Sequence, residues 1–221
     1  MVIAGAWFAH FASYRWIKER ALEERRWDYN ICCGTTDGGG INADIVRHGD
    51  VPRFELVRDV TRLPHPDKAF EHVLCSHTIE HVPDPQAMFH ELCRVGRNVT
   101  ILVPPLWDFT AAFNPFEHQV IFLSLRSRHQ NELPRYVRFA PARWLQARMG
   151  QKVNADALAG DSGRRLARML DYAVPVSFLA AGWLGFSGSP RAWWVFALGW
   201  ALFYASKKLP SLKTGIGPRS L

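Results

Sequence analysis

The residues best suited to chemistry lie in one short run, Ser76-His77-Thr78-Ile79-Glu80-His81-Val82-Pro83-Asp84-Pro85. Two imidazoles and a carboxylate this close can exchange protons near neutral pH or hold a cation. The H-x-x-E-H spacing is that of a helix that sets two histidines one turn apart on zinc, with the glutamate activating water. Pro83 stands two residues beyond His81, where it stops such a helix, and no helical pattern precedes His77. A zinc peptidase is therefore set aside, and no metal centre is expected.

A second group lies upstream. Asn30-Ile31-Cys32-Cys33-Gly34-Thr35 follows a strand-like run and opens onto Asp37-Gly38-Gly39-Gly40, after which comes Ile41-Asn42-Ala43-Asp44-Ile45. Small residues at a strand end let a backbone approach a ligand closely, and an acid closing the next strand can accept hydrogen bonds from ribose hydroxyls. Arg58-Asp59-Val60-Thr61 puts another acid at the end of a third strand. Read singly, the glycines could form only a turn, and Asp44 and Asp59 could do no more than cap strand ends.

The elements that position these groups are short. Strands are predicted at Asp28 to Cys32, Ile41 to Ile45, Phe54 to Arg58, Ala69 to Cys75 and Val99 to Val103. Asp84 followed by Pro85 is a helix start, because the carboxylate caps free N–H groups and proline fits the first turn; the helix runs to about Arg94. Strands interleaved with a helix, the later ones apolar without alternation, predict a parallel sheet buried on both faces. Val2 to Arg26 reads as one amphipathic helix, docked on the body or lying at a membrane interface. Past Pro104 an aromatic stretch through Trp107, Phe113, Phe116 and Phe122 is expected to cover the carboxyl ends of the strands.

A chain of 221 residues with 48% hydrophobic residues can bury a proper core, which excludes a disordered tail or a disulfide-stapled miniprotein. Cys32, Cys33, Cys75 and Cys93 lack paired C-x-x-C spacing and read as reduced, mostly buried thiols. No basic segment precedes the apolar N-terminus, so a cleaved secretory signal is not expected. Asn98-Val99-Thr100 enters a predicted buried strand and is not read as a glycosylation site.

The net charge of +7 resides entirely between Arg126 and Arg168. Beyond it, Tyr172 to Pro190 carries no charge, nor does Ala192 to Ser206, with Ser187-Gly188-Ser189-Pro190 as a turn between them. Arg164, Arg165 and Arg168 before the pair and Lys207, Lys208 and Lys213 after it put both flanks on the cytoplasmic side. The expectation is a transmembrane or re-entrant helical hairpin anchored by Trp183, Trp193, Trp194 and Trp200, against a soluble dimerisation hairpin. Tyr136, Phe139 and Trp144 could stack on bases, but anionic lipid heads explain the basic stretch and the hairpin together, so nucleic acid is the disfavoured partner.

Taken in order, the pieces from Trp27 to Pro104 resemble the class I S-adenosylmethionine-dependent methyltransferases, in particular a small bacterial group. That group has a glycine-cysteine-glycine turn, an Ile-Asn-x-Asp-Ile second strand and a Glu-His-Val-x-Asp-Pro element, with a weaker echo here as far as Phe122. The resemblance implies a Rossmann-like α/β fold with S-adenosylmethionine as cofactor. It implies that Cys32, Cys33, Gly34 and Thr35 approach the methionine part, that Asp44 holds the ribose hydroxyls, and that Asp59 and Val60 contact the adenine. Ser76 and His77 would line the floor of that site, and His81 would stand near the acceptor as a proton acceptor. The chain departs from the family at Cys32, where glycine is usual, and in the shortness of its first strand-to-strand connection.

These expectations divide the chain into an N-terminal amphipathic helix (1–26), an α/β domain (27–150), and a basic linker with a membrane-associated hairpin (151–221). The function they predict is a membrane-attached methyltransferase, its α/β domain cytoplasmic. Its acceptor would be a hydroxyl or carboxyl of a lipid, a lipid-linked glycan or a quinone-like molecule. The alternative is a non-catalytic, methyltransferase-like scaffold in a membrane protein complex.

Overall fold

In the computed structural model, residues 11–114, 117–149, 182–199 and 201–202 are described. The chain divides into two compact units, residues 1–143 and 144–221. Residues 2–10 of the expected N-terminal helix, Phe116, the whole of the linker, residues 172–181 of the first uncharged run, Trp200 and residues 203–206 of the second lie outside the described residues.

The first unit is built on β1 (Trp27–Ile31), β2 (Gly39–Asp44), β3 (Phe54–Leu56), β4 (Phe70–Ser76) and β5 (Gly96–Leu102). They run parallel in the order β3-β2-β1-β4-β5. Two further short strands, β6 (Val120–Phe122) and β7 (Arg128–Gln130), follow; β7 adds antiparallel to β5, and β6 pairs with β8 (Tyr136–Arg138) in a separate ribbon. The five parallel strands lie where the sequence predicts them, and the antiparallel additions do not follow from its pattern. Each of β6, β7 and β8 is three residues long, too short to carry a period.

Strand alternation sends neighbouring side chains to opposite faces. Val73, Cys75, Ile101 and Val103 join one buried cluster, whereas Leu74 and Leu102 join another with Trp27. The first cluster is closed by α2 (Pro85–Val95), which buries Pro85, Met88, Phe89, Leu92 and Val95 at helical spacing. Asp84 caps α2 by accepting from the Ala87 N–H at 3.0 Å, with Pro85 in the first turn, as expected. The second cluster is closed by α1 (Ile17–Glu24), which contributes Ala21 and, at its edge, Leu22. The Trp27 indole donates to the Ala21 carbonyl at 3.0 Å, so this helix docks on the sheet.

The expected single N-terminal helix is corrected within its described part: Phe11–Trp16 is a π-helical turn, and the α-helix ends at Glu24. Arg25 is pulled into an extended conformation, where its guanidinium meets His72 at 3.2 Å and stacks over Trp27. Other boundaries also move for local reasons. Cys32 leaves β1 because its φ of 53° is left-handed, and Ile45 leaves β2 because its N–H is taken by the Asp44 side chain.

The connection from β1 to β2 is residues 32–38 and contains no helix. A parallel crossover normally needs a dozen or more residues with a helix to satisfy its backbone. Here two buried asparagines replace that helix. Asn30 Nδ2 donates to Thr36 O and to Asn42 Oδ1, both at 3.0 Å, and Asn42 Oδ1 also accepts from the Gly38 N–H at 2.8 Å. Asn42 Nδ2 in turn reaches Asp37 and the Pro52 carbonyl at 2.8 Å. Gly40 then lets β2 lie against β1, since a Cβ there would fall 2.3 Å from the Trp27 carbonyl oxygen.

In the second unit, residues 182–186 and 192–199 are helical, separated by the turn expected at Ser187 to Pro190. Ser189 N–H bonds Leu184 O at 2.8 Å and Gly188 N–H bonds Gly185 O at 3.0 Å, with Gly188 at φ 71°. This is a Schellman ending, in which the left-handed residue falls on glycine. Among the described residues no helix is long and apolar enough to cross a membrane.

Candidate active site

Because β1, β2, β4 and β5 are parallel, their carboxyl ends lie on one edge of the sheet, where open α/β sheets bind ligands. Cys32 to Thr35 leave β1 there, Asp44 closes β2, and Ser76 closes β4. Asp44 is buried; its Oδ2 accepts from the Gly34 N–H at 2.9 Å and its Oδ1 from the Ile45 N–H at 2.8 Å. The Cys33 N–H bonds Ala43 O at 3.0 Å, which locks the loop to the end of β2. His77 is held in turn to β5, its N–H donating to Leu102 O at 2.8 Å.

Three features fit a cofactor at this edge. Gly34 sits at φ 58° with nothing within 4 Å of where a Cβ would project, so its backbone is approachable. The Asp44 carboxylate is already positioned by two backbone amides. Ser76 Oγ is buried and has no hydrogen-bond partner among the described residues.

Cys32 packs against the core, and burial, reinforced by Cys75 and Asp44, pushes its thiol well above the ordinary range. Burial likewise raises Cys33 to about 11. Both stay protonated at neutral pH, so neither is a nucleophile in this state.

Thr35 lies in the same loop as Gly34, and Val60 is half-buried against the core. Asp59 is exposed, and its Oδ1 accepts from the N–H and hydroxyl of Thr61 at 2.8 and 2.6 Å. Those hydrogen bonds hold its carboxyl below its ordinary value. Among the described residues, no hydrogen bond joins Asp59 to the Gly34–Asp44 pair.

Residues 77–81 form a turn rather than a helix, as Pro83 requires. The turn is fastened to a segment about forty residues on: Gln119 N–H bonds Glu80 O at 2.8 Å, and His81 Nδ1 donates to Glu117 O at 2.9 Å. This brings His118 against His81, their rings edge to face at 4.7 Å between centroids. Glu80 lies between three imidazoles, its Oε1 at 3.7 Å from His77 Nδ1 and 4.0 Å from both His81 Nε2 and His118 Nε2.

Burial raises the Glu80 carboxyl, but His77, His81 and His118 together outweigh it and hold the group at about 2. Burial dominates at His118 and lowers it to about 4. Sequence reasoning missed His118, which sits in a Pro-punctuated stretch with no period to place it.

Residues 42–103 match the family described as a methyltransferase domain. The match runs from β2 to the end of β5 and includes Asp44, Asp59, Val60, Ser76, His77 and His81; the loop at Cys32 to Thr35 precedes it. No curated protein matches the chain in sequence.

Among solved structures, an S-adenosylmethionine-dependent methyltransferase from Aquifex aeolicus is similar at 13% identity and a TM-score of 0.31, over 42% of this chain and 66% of that one. A chain of the Haloferax volcanii complex containing the Trm112 methyltransferase activator is similar at 18% identity and a TM-score of 0.32, over 45% and 55%. The PH0226 protein from Pyrococcus horikoshii OT3 gives 16% identity and a TM-score of 0.32, over 64% and 80%. The chain thus spans somewhat less than two thirds of the first two. The mostly parallel sheet and the match of residues 42–103 to a methyltransferase domain together make the α/β unit similar to the S-adenosylmethionine-dependent methyltransferases.

Proposed function

We propose that the chain is a membrane-attached methyltransferase that moves the methyl group of S-adenosylmethionine to a hydroxyl or carboxyl of a lipid, a lipid-linked glycan or a quinone-like acceptor. The observation that carries the catalytic part is the buried Asp44 carboxylate, fixed by the Gly34 amide at the carboxyl edge of the sheet. When bound, the cofactor supplies an electrophilic methyl on sulfur, and transfer is an in-line displacement that gains most from alignment and exclusion of water. Asp44 binds and orients, the Cys32 to Thr35 backbone offers a surface of close approach, and Asp59 with Val60 borders the far end. Ser76 and His77 form the floor, and His81, its Nδ1 tied to Glu117 O, stands beside the acceptor.

Attachment is supported by the uncharged runs at the end of the chain and by Trp183, Phe186, Trp193 and Trp194, all strongly exposed within the second unit. The acceptor class rests on that attachment. Calorimetric titration of the detergent-solubilised chain tests the cofactor: affinity in the micromolar range, about −8 kcal/mol, that is lost in Asp44→Ala supports the reading. Absence of binding by a protein with an intact thermal transition overturns it. Removing residues 164–221 is expected to release the chain from membranes, and persistence of the shortened protein on carbonate-washed membranes counts against the anchor.

A second reading, a scaffold subunit of a membrane complex that binds no cofactor, is favoured by Cys32 at φ 53° where the family uses glycine, and by the helix-free connection after it. Protein purified without any retained S-adenosylmethionine or its product, and deaf to both in the titration, fits this reading.

A further inference from the structure

The Glu80 carboxylate is 1% exposed, yet neither of its oxygens has a hydrogen-bond partner among the described residues. A buried carboxyl group left without a partner costs free energy in either protonation state. Imidazole nitrogens surround it at 3.7–4.0 Å, too far to donate and too near to leave an apolar void. One ligand atom from each of Glu80, His81 and His118 can be chosen so that all three lie within 4.8 Å of one another.

We infer that Glu80, His81 and His118 form a binding site for a first-row divalent metal ion of the zinc class. Two neutral nitrogens and one carboxylate suit zinc, cobalt, iron or manganese and do not suit magnesium or calcium, which take oxygen shells. Metal–nitrogen and metal–oxygen distances of about 2.0–2.2 Å in a tetrahedral site put ligand atoms roughly 3.3–3.5 Å apart, so the side chains close by under about an ångström and a half.

The surroundings are those of a metal centre. His81 donates Nδ1–H to Glu117 O, which leaves Nε2 as the lone pair facing Glu80, and His118 is held by a backbone hydrogen bond at Ala112. Outer hydrogen bonds of this kind fix the tautomer and aim a ligating ring. Zipping of residues 77–81 to 117–120 joins the two sequence segments without a helix, so the H-x-x-E-H spacing matters only for Glu80 and His81. His77, beside Glu80, borders the site.

Three protein ligands leave a coordination position open, the arrangement of ions that act on substrate. On the proposed function, this position takes the acceptor oxygen, and the ion rather than the His81 imidazole then lets its hydroxyl release the proton to water before the methyl group arrives.

The test is a titration of the full chain, stripped with chelator, with Zn2+ and separately with Co2+. Expected are one ion per chain, a rise in the thermal transition, and visible d–d absorption from Co2+ in a non-octahedral site. Glu80→Gln, close in shape, should weaken binding at least 100-fold, and His118→Ala should do the same. Circular dichroism separates these losses from unfolding, and His81→Gln replaces any variant that does not fold. A stripped wild-type chain that binds no ion, or folded variants that bind it as tightly as wild type, overturns the inference and leaves an ordered water at Glu80. Binding of S-adenosylmethionine is measured on the same samples: its absence beside an intact metal site defeats the methyltransferase reading alone.

Discussion

Tyr29 is wholly buried with its ring stacked on Phe70 at 4.5 Å, while its hydroxyl has no hydrogen-bond partner among the described residues. Removing an orphaned buried hydroxyl abolishes a desolvation cost without opening a cavity. Tyr29→Phe should leave stability unchanged or raise it by up to about 1 kcal/mol, read from the denaturant midpoint at constant slope; a clear loss would show that the hydroxyl has a partner.

The thiols give the second residue-scale expectation. Burial raises Cys33 to about 11, above its value in an unfolded chain, so between about pH 9 and 11 the unfolded chain releases a proton that the folded one keeps. Stability is therefore fully present below pH 9 and falls as pH rises through that window. Denaturation at pH 7 and pH 10 checks it, and Cys33→Ala should flatten the slope.

At the scale of the element, the β1–β2 connection shows most clearly what side chains do in place of a missing helix. Asn42→Ala removes the acceptor for Gly38 N–H and the donor to Pro52 O in a buried setting, so a loss of about 2–4 kcal/mol is expected in equilibrium unfolding. A change below about 1 kcal/mol would mean that the loop repairs its own hydrogen bonds.

The same elements show how far the sequence could be read. Each parallel strand is an apolar run bounded by turn residues, and α2 announces itself through Asp84-Pro85, because these signals are local. The left-handed Cys32, the short β6, β7 and β8, and the meeting of His118 with Glu80 are decided by tertiary packing, and no window of sequence contains them. For the candidate site, the Gly34–Asp44 pair was visible as a pattern, but the cage around Glu80 was visible only in part, since its third ligand comes from about forty residues away.

For the α/β unit as a whole, stability should be graded from the sheet's centre outward. β4 is paired on both sides and its Val73, Leu74 and Cys75 are wholly buried, whereas β3 is an edge strand with Leu56 exposed. Amide exchange is expected to be slowest in β4 and β1, intermediate in β5, and fastest in β3 and the β6–β8 ribbon. Protection of β3 equal to that of β4 would mean that the sheet opens only as one body.

The abbreviated crossover also bears on how the sheet assembles. Parallel strands are ordinarily slow to find each other, because a long stretch must be closed into a loop before any contact repays it. Closure entropy grows as about 0.6 kcal/mol for each doubling of loop length, so seven residues in place of a dozen or more make β1 and β2 the least costly parallel pair among the described strands. The asparagine latch then does double duty: it holds the finished loop, and it makes this corner of the sheet the natural seed onto which the more distant strands are recruited.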